Sequence, residues 1–334
     1  MSFKRFDQED ITISAESVVA PAWTGQESTL LNFYTGSQTI LESGKYYYNI
    51  YNQSPALYPD TTEAQFSIAY GNKNGSGSLA FSTTIPQNSP SSVIYGQYRT
   101  LINGDENTDF TFGGTTPNSI YVISVNRARY REKLLPASFN LTLTNGIHTI
   151  HLTDNSRDIN TISYVDAGRI YDIVSGSDGN AYLDSGFTPS SGSYGKFLPD
   201  IGTVILNGDA LRDADYGIEL SIDESSDTNA LNITPLYNSL VDGGTFTVRS
   251  EETITSNYVF VRVRNSEFNY STNPSIISGS GELRHAVMVN SPQAYITTVG
   301  LYNDNNELLG VAKLSKALLK DFTKEALVRI KLDY

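Results

Sequence analysis

The sequence has no cysteine, three histidines, two methionines and one tryptophan in 334 residues. Without cysteine there are no disulfides, thiolate metal sites, iron–sulfur clusters or cysteine nucleophiles, so the fold must hold without covalent staples of that kind. Three histidines leave little material for a histidine-rich metal site. No run of about 18 apolar residues occurs, which predicts no membrane-spanning helix. The N-terminus sets Lys4 and Arg5 before Asp7, Glu9 and Asp10 rather than before an apolar stretch, so no secretory leader is expected. Cations are also scarce. Lys and Arg total 23 against 36 Asp and Glu, a net charge of −13. That balance disfavours broad nucleic-acid binding, which needs clustered cations against phosphate, and disfavours anionic membranes.

What the chain has instead is tyrosine. The 22 Tyr and 14 Phe sit among abundant Thr, Ser, Asn and Gly, a composition suited to strands joined by tight turns. Strands are expected at Asp10–Ser14, Tyr46–Tyr51, Gln65–Tyr70, Ser119–Asn126, Phe139–Leu143, His148–Leu152 and Arg169–Val174. The pattern continues at Thr203–Leu206, Gly217–Ile222, Thr245–Val248 and Tyr258–Arg264. Asn145-Gly146 between two such runs is a hairpin signal, because both residue types tolerate positive φ. Near the C-terminus, Tyr295–Tyr302 and Glu307–Leu314 flank the polar turn Asn303–Asn306. Leu327–Tyr334 alternates Val328, Ile330, Leu332 and Tyr334 against Arg329, Lys331 and Asp333, the period of a half-buried antiparallel strand.

Helices are expected to be few and short: Arg127–Leu135 stopped by Pro136, Asn229–Leu240 weakened by Pro235, and one or two turns in Ser315–Thr323. Loops are expected at Gly71–Ser78, Pro86–Ser92, Gly113–Asn118 and Phe187–Gly195. The fold class that follows is mainly β, with antiparallel sheets in sandwich-like subdomains. Three regions are expected: residues 1–135, a middle hairpin region 136–195, and a C-terminal β domain 196–334. No fixed-period repeat is visible, which disfavours a solenoid or propeller.

Chemistry-bearing groups are weak. His148 and His151 share a candidate strand at a spacing that points them to opposite faces, so they do not chelate one metal together. His285 has no local carboxylate. Asp154, Asp158, Asp166 and Asp172 are scattered acids whose separation sequence does not give. Asn303–Glu307 lacks the Gly and Glu of a helical calcium loop and reads as a turn. Ser175–Gly179 is a turn without the Lys of a phosphate loop. Sequons at Asn52, Asn74, Asn140, Asn232 and Asn269 are the chance yield of an Asn/Ser/Thr-rich chain. No catalytic, cofactor-binding or metal-binding residue is assigned. The one basic cluster, Arg127, Arg129, Arg131 and Lys133, lines one face if extended and suits either docking on an acidic partner or a solvated edge.

Four segments carry a resemblance: Ser124–Pro136 (SVNRARYREKLLP), Tyr194–Ile205 (YGKFLPDIGTVI), Arg264–Ser278 (RNSEFNYSTNPSIIS) and Thr297–Tyr334. They resemble a family of structural proteins of large contractile-tailed bacteriophages, described as virion structural or baseplate components. The resemblance extends over most of the chain and is most specific in the C-terminal quarter. Val299–Lys313 (VGLYNDNNELLGVAK) also resembles short β-modules of other tail and baseplate proteins. The resemblance implies a non-enzymatic subunit in the virion, present in several copies, whose partners are other tail and baseplate proteins, with no cofactor. A baseplate wedge component is the expected role. On this reading Arg127, Arg129 and Arg131 are interface charges, and Val328, Ile330, Leu332 and Tyr334 form an assembly strand. A neck or capsid accessory, a carbohydrate-binding adhesin or fibre-attachment module, and a glycan depolymerase stay open as alternatives.

Overall fold

A computed structural model describes residues 8–21, 27–29, 32–35, 47–75, 91–182, 193–224 and 229–333. The chain is mainly β and divides into two compact units, Ala20–Glu252 and Met1–Val19 with Thr253–Tyr334. The positions expected as region boundaries, near 135 and 195, both fall inside the larger unit.

In chain order the elements begin with β1 (Ile11–Pro21), β2 (Glu27–Thr29), β3 (Tyr34–Thr35), β4 (Tyr47–Tyr51), β5 (Ala64–Asn72) and α1 (Ser91–Asn103). Next come β6 (Ser119–Val125), β7 (Lys133–Leu134), β8 (Asn140–Thr144), β9 (Thr149–Asp154), β10 (Ser163–Val165) and β11 (Gly168–Ser177). β12 (Asn180–Ala181), β13 (Gly195–Leu198), β14 (Thr203–Asn207), α2 (Gly208–Arg212) and α3 (Asn229–Val241) follow. The chain closes with β15 (Thr245–Val263), α4 (Val287–Asn290), β16 (Gln293–Tyr302), β17 (Leu308–Asp321) and β18 (Ala326–Asp333).

The larger unit is built on one antiparallel sheet in the order β15-β8-β9-β11-β13-β14-β6-β5-β4-β3. β6 explains its own sequence. Its unbroken apolar run is buried on both faces: Tyr121, Ile123 and Val125 join the main core, while Ile120 and Val122 join a second cluster. α3 covers the first face through Ile233, Leu236 and Leu240. It is pinned by hydrogen bonds from Tyr121 Oη to the Asn232 carbonyl (2.6 Å) and between Tyr48 Oη and Thr234 Oγ1 (2.9 Å). The second cluster holds Tyr95 of α1 with Phe110 and Phe112. Gly71 of β5 permits the close approach of α1, since a Cβ there would meet the Tyr95 backbone nitrogen at 2.9 Å. The main core is aromatic, with Phe246 edge-on to Phe66 and Phe139 at ring separations of 5.4 and 5.8 Å.

Two turns keep the sequence's promise. The β8–β9 hairpin turns at Asn145-Gly146, with Gly146 at φ +86° and the Asn145 side chain accepting from the Ile147 and His148 amides. β11 and β12 are joined by Asp178 and Gly179, both at positive φ.

Other local expectations are overridden by long-range pairing. Arg127–Leu135 is not a helix. A single 3-10 turn, Arg127–Arg129, is capped by the Asn126 side chain, and Lys133 and Leu134 then pair with Glu251 and Ser250 of β15. Ser315–Thr323 is not a helix either, because β17 runs on to Asp321 against the start of β16. Gly217–Ile222 is not a strand: the Ile218 and Leu220 amides both donate to the Leu211 carbonyl, and Glu219 sits at φ +49°. Ser91 and Ser92, expected in a loop, open α1. Residues 76–78, 86–90 and 187–192 of the expected loops lie outside the described residues.

In the smaller unit, β18 pairs antiparallel with the C-terminal half of β15, from Ser256↔Asp333 to Val263↔Ala326. β1 is the other neighbour of β15. β16 and β17 form a separate two-stranded sheet. Among the described residues no helix is long and apolar enough to cross a membrane.

Candidate interaction surface

The smaller unit encloses a thin core. Among the described residues its buried hydrophobic side chains are Val261, Val263, Ala294, Ala326, Val328 and Ile330. All but Ala294 of β16 come from alternate positions on β15 and β18, which set one face inward by the two-residue period of a strand. Val328 and Ile330 are therefore buried core residues of this unit. Leu332 is partly exposed at 38 %, and Tyr334 lies outside the described residues. The solvent side of β18 is locally tied: Arg329 stacks over the Tyr258 ring at 4.4 Å, and Asp333 accepts from Lys331 (2.8 Å) and Ser256 Oγ (2.6 Å). At the start of the unit, Asp10 is clasped by Arg262 and Arg264 at 2.8 Å each. Burial pushes the Asp10 carboxyl up, but the two guanidinium hydrogen bonds outweigh it and hold the pKa below the usual carboxylate value.

The β16–β17 hairpin is one of several places where this unit exposes large apolar side chains, with Val287 and Val289 of α4 and Leu327 of β18 among the others. The hairpin's turn is well made. Asn303 accepts from the Glu307 amide (2.8 Å) and donates to the Glu307 carboxylate (2.6 Å), and Asn306 takes φ +64°. An irregularity between the Ile296↔Leu318 and Thr298↔Lys313 pairs sets residues 314–317 opposite Thr297 alone. Beyond it, Val299, Leu301 and Ala312 are half-buried, while Thr298, Gly300, Tyr302, Val311 and Lys313 are exposed. Leu309, 70 % exposed, and Leu308 extend this apolar strip to the tip. A two-stranded ribbon of this kind is marginal in water unless a third strand or another layer covers it. The sequence carried a signal that was missed: Leu308-Leu309-Gly310-Val311-Ala312 is apolar on both faces, the pattern of a strand meant to be buried on both sides.

Charge separates the units as well. Residues 20–252 carry 12 Lys and Arg and 25 Asp and Glu, the whole of the −13; residues 1–19 and 253–334 carry 11 of each sign. A charge-balanced, apolar surface is the kind that associates, and a strongly charged one is the kind that stays solvated.

The expected basic cluster lies in the larger unit and is dispersed. Arg127 folds over the Tyr130 ring (4.8 Å) and donates to the Tyr130 (2.8 Å) and Arg131 carbonyls. Arg129 pairs with Glu63 at 2.6 Å. Arg127 and Arg131 are both exposed and carry no ion pair among the described residues. The 3-10 turn, not a strand, sets these directions, so the four cations do not share a face.

The acids are employed within the chain. Asp154, fully buried, accepts from the Ala137 amide (2.9 Å) and the Ser156 amide (3.1 Å), and burial raises its pKa. Asp158 accepts from the Ala181 amide, and Asp172 pairs with Lys196 at 2.5 Å. Asp166 is exposed in a turn. His148, His151 and His285 are exposed; His148 lies 4.0 Å from Glu219, and His151 hydrogen-bonds Thr142. Among the described residues no group of three or more His, Asp or Glu is placed to hold a metal.

One buried ionic cluster was not legible in the sequence. Arg169 donates to Asp200 from Nε (3.0 Å), Nη2 (2.7 Å) and its backbone amide (2.7 Å), and also pairs with Glu251. Burial works against the Arg169 charge, but the two carboxylates raise its pKa further. Asp200 is raised by burial and more strongly lowered by Arg169, so its carboxylate is held ionised. The cluster ties β11, the Pro199–Ile201 turn and β15 together, which makes it a structural fastening.

The chain matches no protein-family model, no curated protein and no solved structure.

Proposed function

We propose that this chain is a non-enzymatic structural subunit of a contractile phage tail, a component of the baseplate wedge that works through protein–protein assembly. The reading rests on the resemblance of its C-terminal quarter to tail and baseplate proteins. The observation that carries it in the structure is the uncovered apolar strip on the distal β16–β17 hairpin, Tyr302, Leu308, Leu309 and Val311. Burying such side chains fully is worth on the order of 1.5–3 kcal/mol each, enough to favour a neighbouring chain over water. The acidic larger unit acts as the solvated body, and the charge-balanced smaller unit makes the contact. Among the described residues β18 pairs with β15 alone, and its other edge offers a second, backbone-based contact.

Immunogold electron microscopy of intact tailed particles tests this reading. Label at the distal end of the tail supports it. Label on the head or collar overturns the baseplate assignment, and absence of the chain from denatured virions overturns the structural role itself. Removing residues 298–313 from an otherwise folded chain is expected to abolish incorporation.

A further inference from the structure

The smaller unit buries a lysine in direct contact with a buried asparagine side chain. Lys320, the next-to-last residue of β17, is completely buried opposite Ala294 of β16. Its Nζ donates to three oxygens: the Asn265 carbonyl (3.0 Å), the Asp321 carbonyl (2.9 Å) and Asn269 Oδ1 (2.8 Å). None is a carboxylate. Asn269 is itself buried, and its amide is oriented by donation from Nδ2 to the Asn265 carbonyl at 2.8 Å. The loop holding it turns sharply, with the Glu267 amide on the Arg264 carbonyl and Phe268 at φ +52°. Glu267, two residues before Asn269, is a third buried polar group.

A lysine is rarely buried without an ion-pair partner in direct contact. When one is, the ammonium gives up its proton more readily and leaves a nucleophilic amine. Burial does lower the Lys320 pKa, against the raising influence of Asp321, Glu267 and Glu325. The amine lies within hydrogen-bond distance of a fixed carboxamide, and holding two groups side by side lets an otherwise slow acyl transfer proceed within one molecule.

We propose that Lys320 and Asn269 join in an intramolecular isopeptide bond. The neutral Nζ of Lys320 attacks Cγ of Asn269, forming a carbon–nitrogen bond and a tetrahedral centre. The bond from Cγ to Nδ2 then breaks, and the amide nitrogen leaves as ammonia. The proton lost by Lys320 nitrogen ends on that ammonia, and the Glu267 carboxyl is assigned to carry it across. No oxidant, reductant or cofactor is consumed. The product ties β17 to the loop after β15 and closes the chain from residue 269 to residue 320. It supplies a covalent staple to the unit with the thinner core, in a chain that has no cysteine to make one. This inference is independent of the baseplate reading and stands or falls separately.

Mass spectrometry of the purified full-length protein, kept folded at neutral pH, tests it. The expected intact mass is one ammonia below the sequence mass. Tandem spectra should show a branched peptide linking the segment around Asn269 to the segment around Lys320, with tryptic cleavage after Lys320 blocked. A full sequence mass overturns the proposal. So does an ammonia loss that maps to an Asn-Gly pair such as Asn145-Gly146, where a succinimide forms instead. Lys320→Arg should restore the full mass. Glu267→Gln, with folding checked by circular dichroism, should slow bond formation at least tenfold; formation at the wild-type rate would remove Glu267 from the mechanism. The wild-type measurement decides the bond whether or not the variants fold.

Discussion

The two units solve the same problem with different means. Residues 20–252 wrap a wide sheet between α3 and α1 and enclose nearly all the buried hydrophobic side chains described, at a net charge of −13. Residues 1–19 and 253–334 enclose six, balance their charges, and leave Tyr295, Tyr302, Leu308, Leu309, Val311 and Phe322 in solvent. The first unit is stable in the ordinary way, by apolar burial with its polar groups paired. The second encloses few apolar side chains and leaves several large ones exposed.

The largest effects are expected inside the larger unit. Arg169→Ala strips the buried Glu251 and Asp200 of their shared cation, and should cost about 3–5 kcal/mol in a urea melt. A change below about 1 kcal/mol would mean that the cluster is solvated. Phe246→Ala opens a hole between Phe66 and Phe139 and should cost a similar ~3–5 kcal/mol, whereas Ile330→Ala in the smaller unit should sit near ~2 kcal/mol, the low end for an aliphatic truncation. Equal costs at the two sites would erase the contrast between the cores.

Acid should weaken the Arg169 cluster next. Asp200 has a folded pKa below its unfolded value, so its contribution is present above about pH 4 and is lost as pH falls through the folded value. Asp154 runs the other way: its raised pKa means that protonation in acid relieves a buried charge. Melts of wild type and Asp154→Asn from neutral pH down to about pH 2.5 separate the two, the variant losing the compensating gain.

The smallest effect on stability is expected where the effect on assembly is greatest. Leu309→Ser with Val311→Ser should move the melt of the isolated chain by no more than about 0.5 kcal/mol, because both side chains are largely exposed. Incorporation into particles, read by quantitative immunoblot, should fall sharply. Normal incorporation would show that the hairpin is not the contact.

The mainly-β class, the Asn145-Gly146 turn, the aromatic strands and the final alternating strand were legible because each rests on local chemistry: positive φ at Asn-Gly, β-branched and aromatic runs, a period of two. Residues 127–135 were misread because their helical spacing competes with backbone partners more than a hundred residues away, at Ser250 and Glu251. Ser315–Thr323 was misread because its residues pair as a strand with the start of β16, from Gln293↔Asp321 to Ile296↔Leu318. The basic cluster was visible as composition, but the directions of Arg127 and Arg129 depend on a capped turn and on Glu63, which sequence spacing does not place. The apolar run around Leu309 was present in the sequence, but its meaning depended on how much of it the rest of the chain would cover.

The sequence by itself determined that this protein is built from strands and tight turns, without disulfides, and that its C-terminal strand has one inward face. Those properties follow from residue type and near neighbours. Tertiary structure alone decided that Val328 and Ile330 are core, that Arg169 holds two acids, that Lys320 lies against Asn269, and that Leu308, Leu309 and Val311 of the β16–β17 ribbon are exposed. Each of these depends on which distant residues arrive to bury or pair a side chain, and burial and pairing belong to the folded whole.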